Sequence, residues 1–110
     1  MEAHEPSGLV TPVTILAETM SFIRVRFGIE FQRRFWDAFM DSGIELAQVD
    51  DRVLHMARDI EERYSDCAFG FADCTLLATC ETLKTARILS LDRRLSAYRP
   101  SFAGGVEVLP

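Results

Sequence analysis

The sequence predicts an α/β domain in which short parallel strands are covered by helices. Segments with helical periodicity alternate along the 110 residues with short apolar runs, and this alternation is typical of a parallel sheet. The run at 86–91 is mostly apolar and bounded by charge, as a buried parallel strand is. Apolar residues make up 48% of the chain and charged residues 26%, so the protein is globular rather than disordered.

The first predicted helix begins at Pro12 and ends before Gly28. It follows a polar loop at 1–8 and a very short strand at 9–10, and Thr11 is its predicted N-cap. Apolar residues recur at helical spacing along one side and form its predicted buried stripe: Val13, Leu16, Ala17, Met20, Ile23 and Phe27.

Three elements are predicted in the middle of the chain. A helix over 29–42 is rich in aromatic residues, which suggests a core lid or a subunit contact. The run at 44–49 is a strand candidate, and Asp50 is expected to cap a helix over 51–64.

The last third carries the clearest pattern. A helix is predicted over 71–84, directly after Gly70, and the strand at 86–91 follows it. A short helical turn after Asp92 and a strand at 106–109 complete the chain.

Two acids occupy positions where chemistry is often done. Asp73 falls in the first turn of the helix over 71–84. Asp92 falls at the carboxyl end of the strand over 86–91. Ligands of open α/β sheets bind outside the carboxyl ends of strands, so these two acids could meet in one crevice. Considered alone, each acid has a structural interpretation: Asp73 interacts with the helix dipole, and Asp92 is an N-cap. Glu18, on the flank of the first helix, reads as a solvent-facing acid.

Four short segments, in this order and spacing, resemble the PIN domain family, and most closely its VapC-type toxins from bacterial toxin–antitoxin pairs. They are Leu-Ala-Glu at 16–18, Gly-Phe-Ala-Asp at 70–73, Ile-Leu-Ser-Leu-Asp-Arg-Arg at 88–94 and Tyr-Arg-Pro at 98–100. The resemblance covers 9–110 and implies one PIN-like domain over 1–110. It also implies a three-layer α/β/α fold with a short parallel sheet.

The resemblance implies a metal-dependent ribonuclease that hydrolyses RNA phosphodiester bonds and is neutralised by an antitoxin protein. In the family, acids at the carboxyl ends of the strands hold Mg²⁺ or Mn²⁺, which prefer carboxylate oxygen. The positions carried over as catalytic residues and metal ligands are Glu18, Asp73 and Asp92.

Three further positions could support the site. Ser90 stands where the family often has a hydroxyl near the metal, or it is simply a satisfied strand hydroxyl. Arg93 and Arg94 could contact RNA phosphate, or they could pair with acids.

In the family, an opening strand ends in the first acidic ligand and is followed by a helix. Both elements are missing before Leu9. Because that strand is central in the family's sheet, we expect an N-terminally truncated form, or a chain that closes the gap or pairs with another chain. Without that strand the enzyme would lack its first acidic ligand. The alternative is an inactive PIN remnant that acts as a protein-interaction or dimerisation module, with a homodimer formed through the aromatic helix. An unrelated helical interaction domain without strands is a third hypothesis.

Charge and cysteine content limit the remaining options. A net charge of −5 argues against binding nucleic acid through bulk charge. The arginines between 24 and 34 could form a local basic rim, although scattered surface arginines more commonly form a solvated face. The odd number of cysteines favours reduced thiols in a cytoplasmic protein. Cys74 could be taken for a nucleophile, but a small buried hydrophobe is the simpler interpretation. The sequence shows no signal peptide and no apolar run long enough to span a membrane.

Overall fold

A computed structural model of the chain describes residues 8–85, 87–89 and 93–109. It contains four α-helices and four short strands, and each strand pairs in parallel with another. The predicted α/β fold with short parallel strands is therefore confirmed. The chain divides into two compact units, Met1–Gln48 and Val49–Pro110. A single domain over 1–110 stays a prediction.

The first unit contains two strands and a helical hairpin. Strand β1 (Val10–Pro12) pairs in parallel with β2 (Glu45–Ala47). Helix α1 (Val13–Phe27) packs against α2 (Ile29–Met40). Gly28 joins the two helices at φ 95°, a left-handed conformation that a residue without a side chain adopts readily.

The start of α1 differs from the prediction by one residue. Thr11 is not the N-cap, because the cap position is Pro12 and no side chain accepts a hydrogen bond there. Thr11 and Pro12 lie opposite Leu46 and Ala47 in the strand pair, and this pairing keeps their backbone extended. The sequence correctly predicted that a helix starts here, but strand pairing moves the first helical residue to Val13.

The predicted apolar stripe of α1 is only partly covered. Leu16, Met20 and Ile23 are half-buried, whereas Val13 and Phe27 are exposed. Helix α1 packs against α2 and β1 in this unit, and neither α1 nor α2 contains a fully buried residue. The hairpin therefore leaves much of its apolar surface accessible.

The second unit is built on two packed helices. Helix α3 (Asp51–Arg63) lies against α4 (Phe71–Leu83), and strand β3 (Arg87–Leu89) pairs in parallel with β4 (Glu107–Leu109). A 3₁₀ segment at Arg93–Ala97 forms the helical turn predicted after Asp92. The predicted N-cap of α3 is confirmed, because the Asp50 side chain accepts a hydrogen bond from the Val53 amide at 3.0 Å.

The core of this unit lies between α3, α4 and the 3₁₀ segment. Ile60, Leu77, Ala78 and Leu95 have no exposed surface, and Tyr98 is almost as deeply buried. Burial of a Leu or Ile side chain stabilises a fold by about 1.5–3 kcal/mol. This contact determines where the first turn of α4 sits. None of the described helices is long and apolar enough to cross a lipid bilayer.

A carboxylate on α4 holds the segment that follows the 3₁₀ turn. Glu81 accepts hydrogen bonds from the Ser101 amide at 2.8 Å, from the Ser101 hydroxyl at 2.6 Å and from the Tyr98 hydroxyl. Burial alone would raise the pKa of Glu81, but these hydrogen bonds outweigh it and lower the pKa below its usual value. Burial and the Glu81 carboxylate in turn raise the pKa of Tyr98.

We expect Glu81→Gln to lower the free energy of unfolding at pH 7 by on the order of 1 kcal/mol, because hydrogen bonds to a charged acceptor are lost. A carboxylate with a lowered pKa stabilises the fold above its unfolded pKa, and this contribution is lost as the pH falls through the folded value. The difference between wild type and variant should therefore shrink between about pH 5 and pH 3. Urea unfolding at several pH values, followed by circular dichroism, measures it.

Glu62→Gln is the matched control for this prediction. Glu62 is exposed and pairs with Arg58 at 3.0 Å on the same unit, so its loss should cost less than about 1 kcal/mol. Equal effects of the two substitutions at pH 7 would contradict a special role for Glu81.

The three cysteines differ in accessibility. Cys74 and Cys80 on α4 are buried, and Cys67 is half-buried. Burial, and then the carboxylates of Glu61 and Asp73, raise the pKa of Cys74. Burial and Glu81 raise the pKa of Cys80 to about 11. The interpretation of Cys74 as a small buried hydrophobe is confirmed, since a nucleophile needs an accessible thiolate.

A disulfide reagent such as DTNB should modify Cys67 much faster than the other two thiols at pH 8. A thiol with a pKa near 11 carries about 100-fold less thiolate at this pH than an ordinary cysteine, and burial slows its reaction further. The visible absorbance of the thionitrobenzoate that the reagent releases gives the number of thiols that react in the fast phase. Cys67→Ser should remove the fast phase, and a fast phase that persists in this variant would show that Cys74 or Cys80 is reactive.

Candidate functional site

Asp73 lies where the sequence predicted, in the first turn of α4. The helix begins after Gly70, whose backbone is extended, and no side chain caps it. Asp73 is half-buried, while its neighbours Ala72 and Cys74 are fully buried in the second unit. The packing of α4 therefore fixes the backbone that carries this carboxylate, and the acid stays accessible at the edge of the core.

The negative field at this end of α4 has a second source that the sequence analysis did not consider. Glu61, on the exposed side of α3, raises the pKa of Cys74 more than Asp73 does. The Glu61 carboxylate also pairs with Arg58 at 3.3 Å. Its only signal in the sequence is its position next to the buried Ile60, which places it at the margin of the α3–α4 contact.

Glu18 lies on α1, in the first unit, and its side chain is exposed. This agrees with its predicted position off the centre of the apolar stripe. The helix carries no acid in its first turn and two arginines in its last, Arg24 and Arg26. Glu18 is a solvent-accessible carboxylate in the middle of this helix.

The remaining predicted site residues follow β3 in the sequence. Asp92 and Ser90 fall outside the described residues. Arg93 begins the 3₁₀ segment. The exposed Arg94 donates a hydrogen bond from its guanidinium to the Cys67 carbonyl at 3.4 Å. Arg94 thus stands beside the turn at Ser65–Cys67.

The described part of the chain contains two of the predicted metal ligands, one in each unit. Within 8–85, 87–89 and 93–109, no group of three or more His, Cys, Asp or Glu side chains lies close enough to hold a metal ion. The two predicted ligands in this part of the chain, Glu18 and Asp73, are accessible carboxylates. The thiol nearest in sequence, Cys74, is buried and has a raised pKa, so it offers no competing soft ligand. Carboxylate oxygens are ligands that Mg²⁺ and Mn²⁺ prefer.

Comparisons with known proteins show the family of the chain. The chain is 29% identical over 103 residues to a curated protein named Ribonuclease VapC26 from Mycobacterium tuberculosis. This similarity covers 93% of the chain and 76% of that relative. The family model of the PIN domain matches residues 1–99. The chain therefore belongs to the PIN domain family.

Proposed function

We propose that this PIN domain is a metal-dependent ribonuclease of the VapC type, which hydrolyses phosphodiester bonds of RNA. The observation that carries the proposal is the position of Asp73. This half-buried carboxylate lies in the first turn of α4, within the Gly-Phe-Ala-Asp segment on which the family resemblance rests. Similarity to a ribonuclease along 93% of the chain supports the same activity.

In this proposal three acids hold Mg²⁺ or Mn²⁺: Glu18, Asp73 and Asp92. Such a cation, when bound, supplies electrostatic stabilisation of the negative charge that develops on a phosphate during in-line attack by water. The chain itself has to keep these carboxylates ionised and oriented. Asp73 and Cys74 are successive on one helix and therefore point about 100° apart. Because Cys74 is turned into the core, Asp73 is directed towards the margin of the unit.

Supporting roles are proposed for Ser90, Arg93 and Arg94. The Ser90 hydroxyl would orient a ligand near the acids. Arginine contacts phosphate through a planar fork of donors, and the exposed Arg94 side chain is accessible to an RNA backbone. Its hydrogen bond to the Cys67 carbonyl limits the directions that the guanidinium can take.

Removal of a proposed metal ligand should abolish cleavage without unfolding the chain. Asp73→Asn and Asp92→Asn should each lower the cleavage rate of RNA in Mg²⁺ or Mn²⁺ by about 100-fold or more, because an oxygen ligand and its charge are lost. Glu18→Gln should act in the same direction, and EDTA should stop cleavage by the wild type. Gel analysis of a labelled RNA measures the rate.

Asp59→Asn is the matched control, because Asp59 is an exposed acid on α3 with no proposed role. Its cleavage rate should equal that of the wild type. If purified, folded wild-type protein does not cleave RNA with either metal, the nuclease proposal fails. If the Asp73 and Asp92 variants retain the wild-type rate, the assignment of the ligands fails.

We extend the proposal to a toxin that a cognate antitoxin protein neutralises. The support is the similarity to Ribonuclease VapC26 and the match to the PIN domain, together with the resemblance of the four short segments to VapC-type toxins. Induced expression in a bacterial host should arrest growth, and Asp73→Asn should relieve the arrest. Growth arrest by both proteins would point to a toxic effect that is independent of the acids.

A second candidate function is an inactive PIN domain that acts as a dimerisation module. The observation in its favour is an exposed face of α2, on which Ile29, Trp36 and Met40 recur at helical spacing. In this case the wild type should be a dimer by light scattering and should bind neither metal nor RNA. Trp36→Ala should then shift the protein towards the monomer.

A further inference from the structure

Three phenylalanine rings form an exposed row at the turn of the helical hairpin. Phe22 and Phe27 belong to α1 and Phe31 to α2, and we refer to them together as the phenylalanine row. Their exposed fractions are 54%, 56% and 53%. The ring centroids are 6.4 Å apart for Phe22 and Phe27 and 5.8 Å apart for Phe27 and Phe31. Neighbouring exposed rings of this kind mark an interaction surface.

Arginines stand beside this row. The guanidinium carbon of Arg26 lies 5.6 Å from the centroid of Phe22, and that of Arg34 lies 5.4 Å from the centroid of Phe31. Residues 22–36 contain four arginines and one acid, Glu30, which pairs with Arg33 at 3.5 Å. The chain as a whole carries a formal charge of −5. Positive charge is therefore concentrated on the segment that also exposes the rings.

We propose that the phenylalanine row, with Arg26 and Arg34, binds a single-stranded segment of RNA. The inference rests on the proposed ribonuclease function. It adds a surface on the first unit that binds the RNA substrate. Exposed aromatic rings stack on bases without regard to sequence, and arginines neutralise the phosphates between them. Both groups are present here on one short hairpin.

The charges favour RNA over an apolar protein surface as the occupant. The guanidinium groups lie over ring faces within the row, and an apolar protein surface placed on these rings would have to bury them without a counter-charge. A second copy of the chain, docked through the same face, would bring arginine towards arginine. Phosphates supply the missing negative charge.

Binding can be measured without cleavage. Fluorescence anisotropy of a labelled oligouridylate, in EDTA and at low salt, gives the dissociation constant. The double variant Phe22→Ala with Phe31→Ala should bind at least about tenfold more weakly, because two stacking faces are lost. Phe22→Leu with Phe31→Leu keeps most of the apolar volume but has no flat ring, so it should also bind weakly while its circular dichroism remains that of the wild type. Arg26→Gln with Arg34→Gln should weaken binding and reduce its dependence on salt.

Matched controls come from α3. Arg52→Gln with Arg58→Gln removes two exposed arginines from that helix, and Leu54→Ala removes an exposed apolar side chain. Each should bind the oligouridylate as the wild type does within about twofold. If the arginine controls weaken binding as much as the hairpin arginine variant, only total charge matters and the inference is wrong.

Other outcomes test the inference and the ribonuclease proposal separately. If the phenylalanine variants bind RNA as tightly as the wild type and cleave it normally, the row is not the RNA surface, but the nuclease proposal stands. If the wild type binds no RNA and instead binds an acidic peptide through the row, the surface recognises protein. If RNA binding depends on the row but Mg²⁺ and Mn²⁺ support no cleavage, the inference holds and the nuclease proposal fails.

Discussion

The packing of α3 against α4 is the contact on which the second unit depends. Ile60 from α3 meets a surface of α4 on which Leu77 and Ala78 have no exposed area. Two threonines lie within this buried surface, and their hydroxyls donate hydrogen bonds back to carbonyls of the same helix: Thr75 to Ala72 at 2.7 Å and Thr79 to Thr75 at 2.8 Å. Because these buried hydroxyls are hydrogen-bonded, they do not incur the free-energy cost of an unsatisfied buried polar group. Helix α4 can therefore be buried along most of its length.

This burial has a consequence for the candidate site. A helix that is packed on most of its surface has little freedom to rotate or shift, so the direction of Asp73 is set by the core and not by the loop before it. The same helix carries Glu81 two turns further on, where its carboxylate accepts hydrogen bonds from the hydroxyls of Tyr98 and Ser101. The chain beyond the 3₁₀ turn is thus anchored to α4. A rigid support of this kind is what a site with charged ligands requires.

The first unit distributes its apolar residues differently. Neither of its helices contains a fully buried residue, and several of its aromatic rings are exposed. Its arginines lie over these rings, so charge and apolar surface are interleaved on the hairpin. The second unit buries its apolar residues in a core, whereas the first leaves many of them exposed. In our proposals, therefore, the second unit positions chemistry and the first contributes recognition.

The sequence by itself determined the elements and the motif that identifies the family. Helix α3 was predicted within one residue of its end and α4 likewise, because helical periodicity and caps such as Asp50 act over a few residues and can be read locally. The Gly-Phe-Ala-Asp segment placed Asp73 correctly for the same reason. Only the tertiary structure decided that Thr11 and Pro12 stay extended, since their partners in β2 lie more than 30 residues away. It likewise decided which apolar residues of α1 remain exposed and that Glu81 binds residues 17 and 20 positions further on. Pairing and packing between distant segments leave no periodic trace in either segment, so they become visible only when the chain is folded.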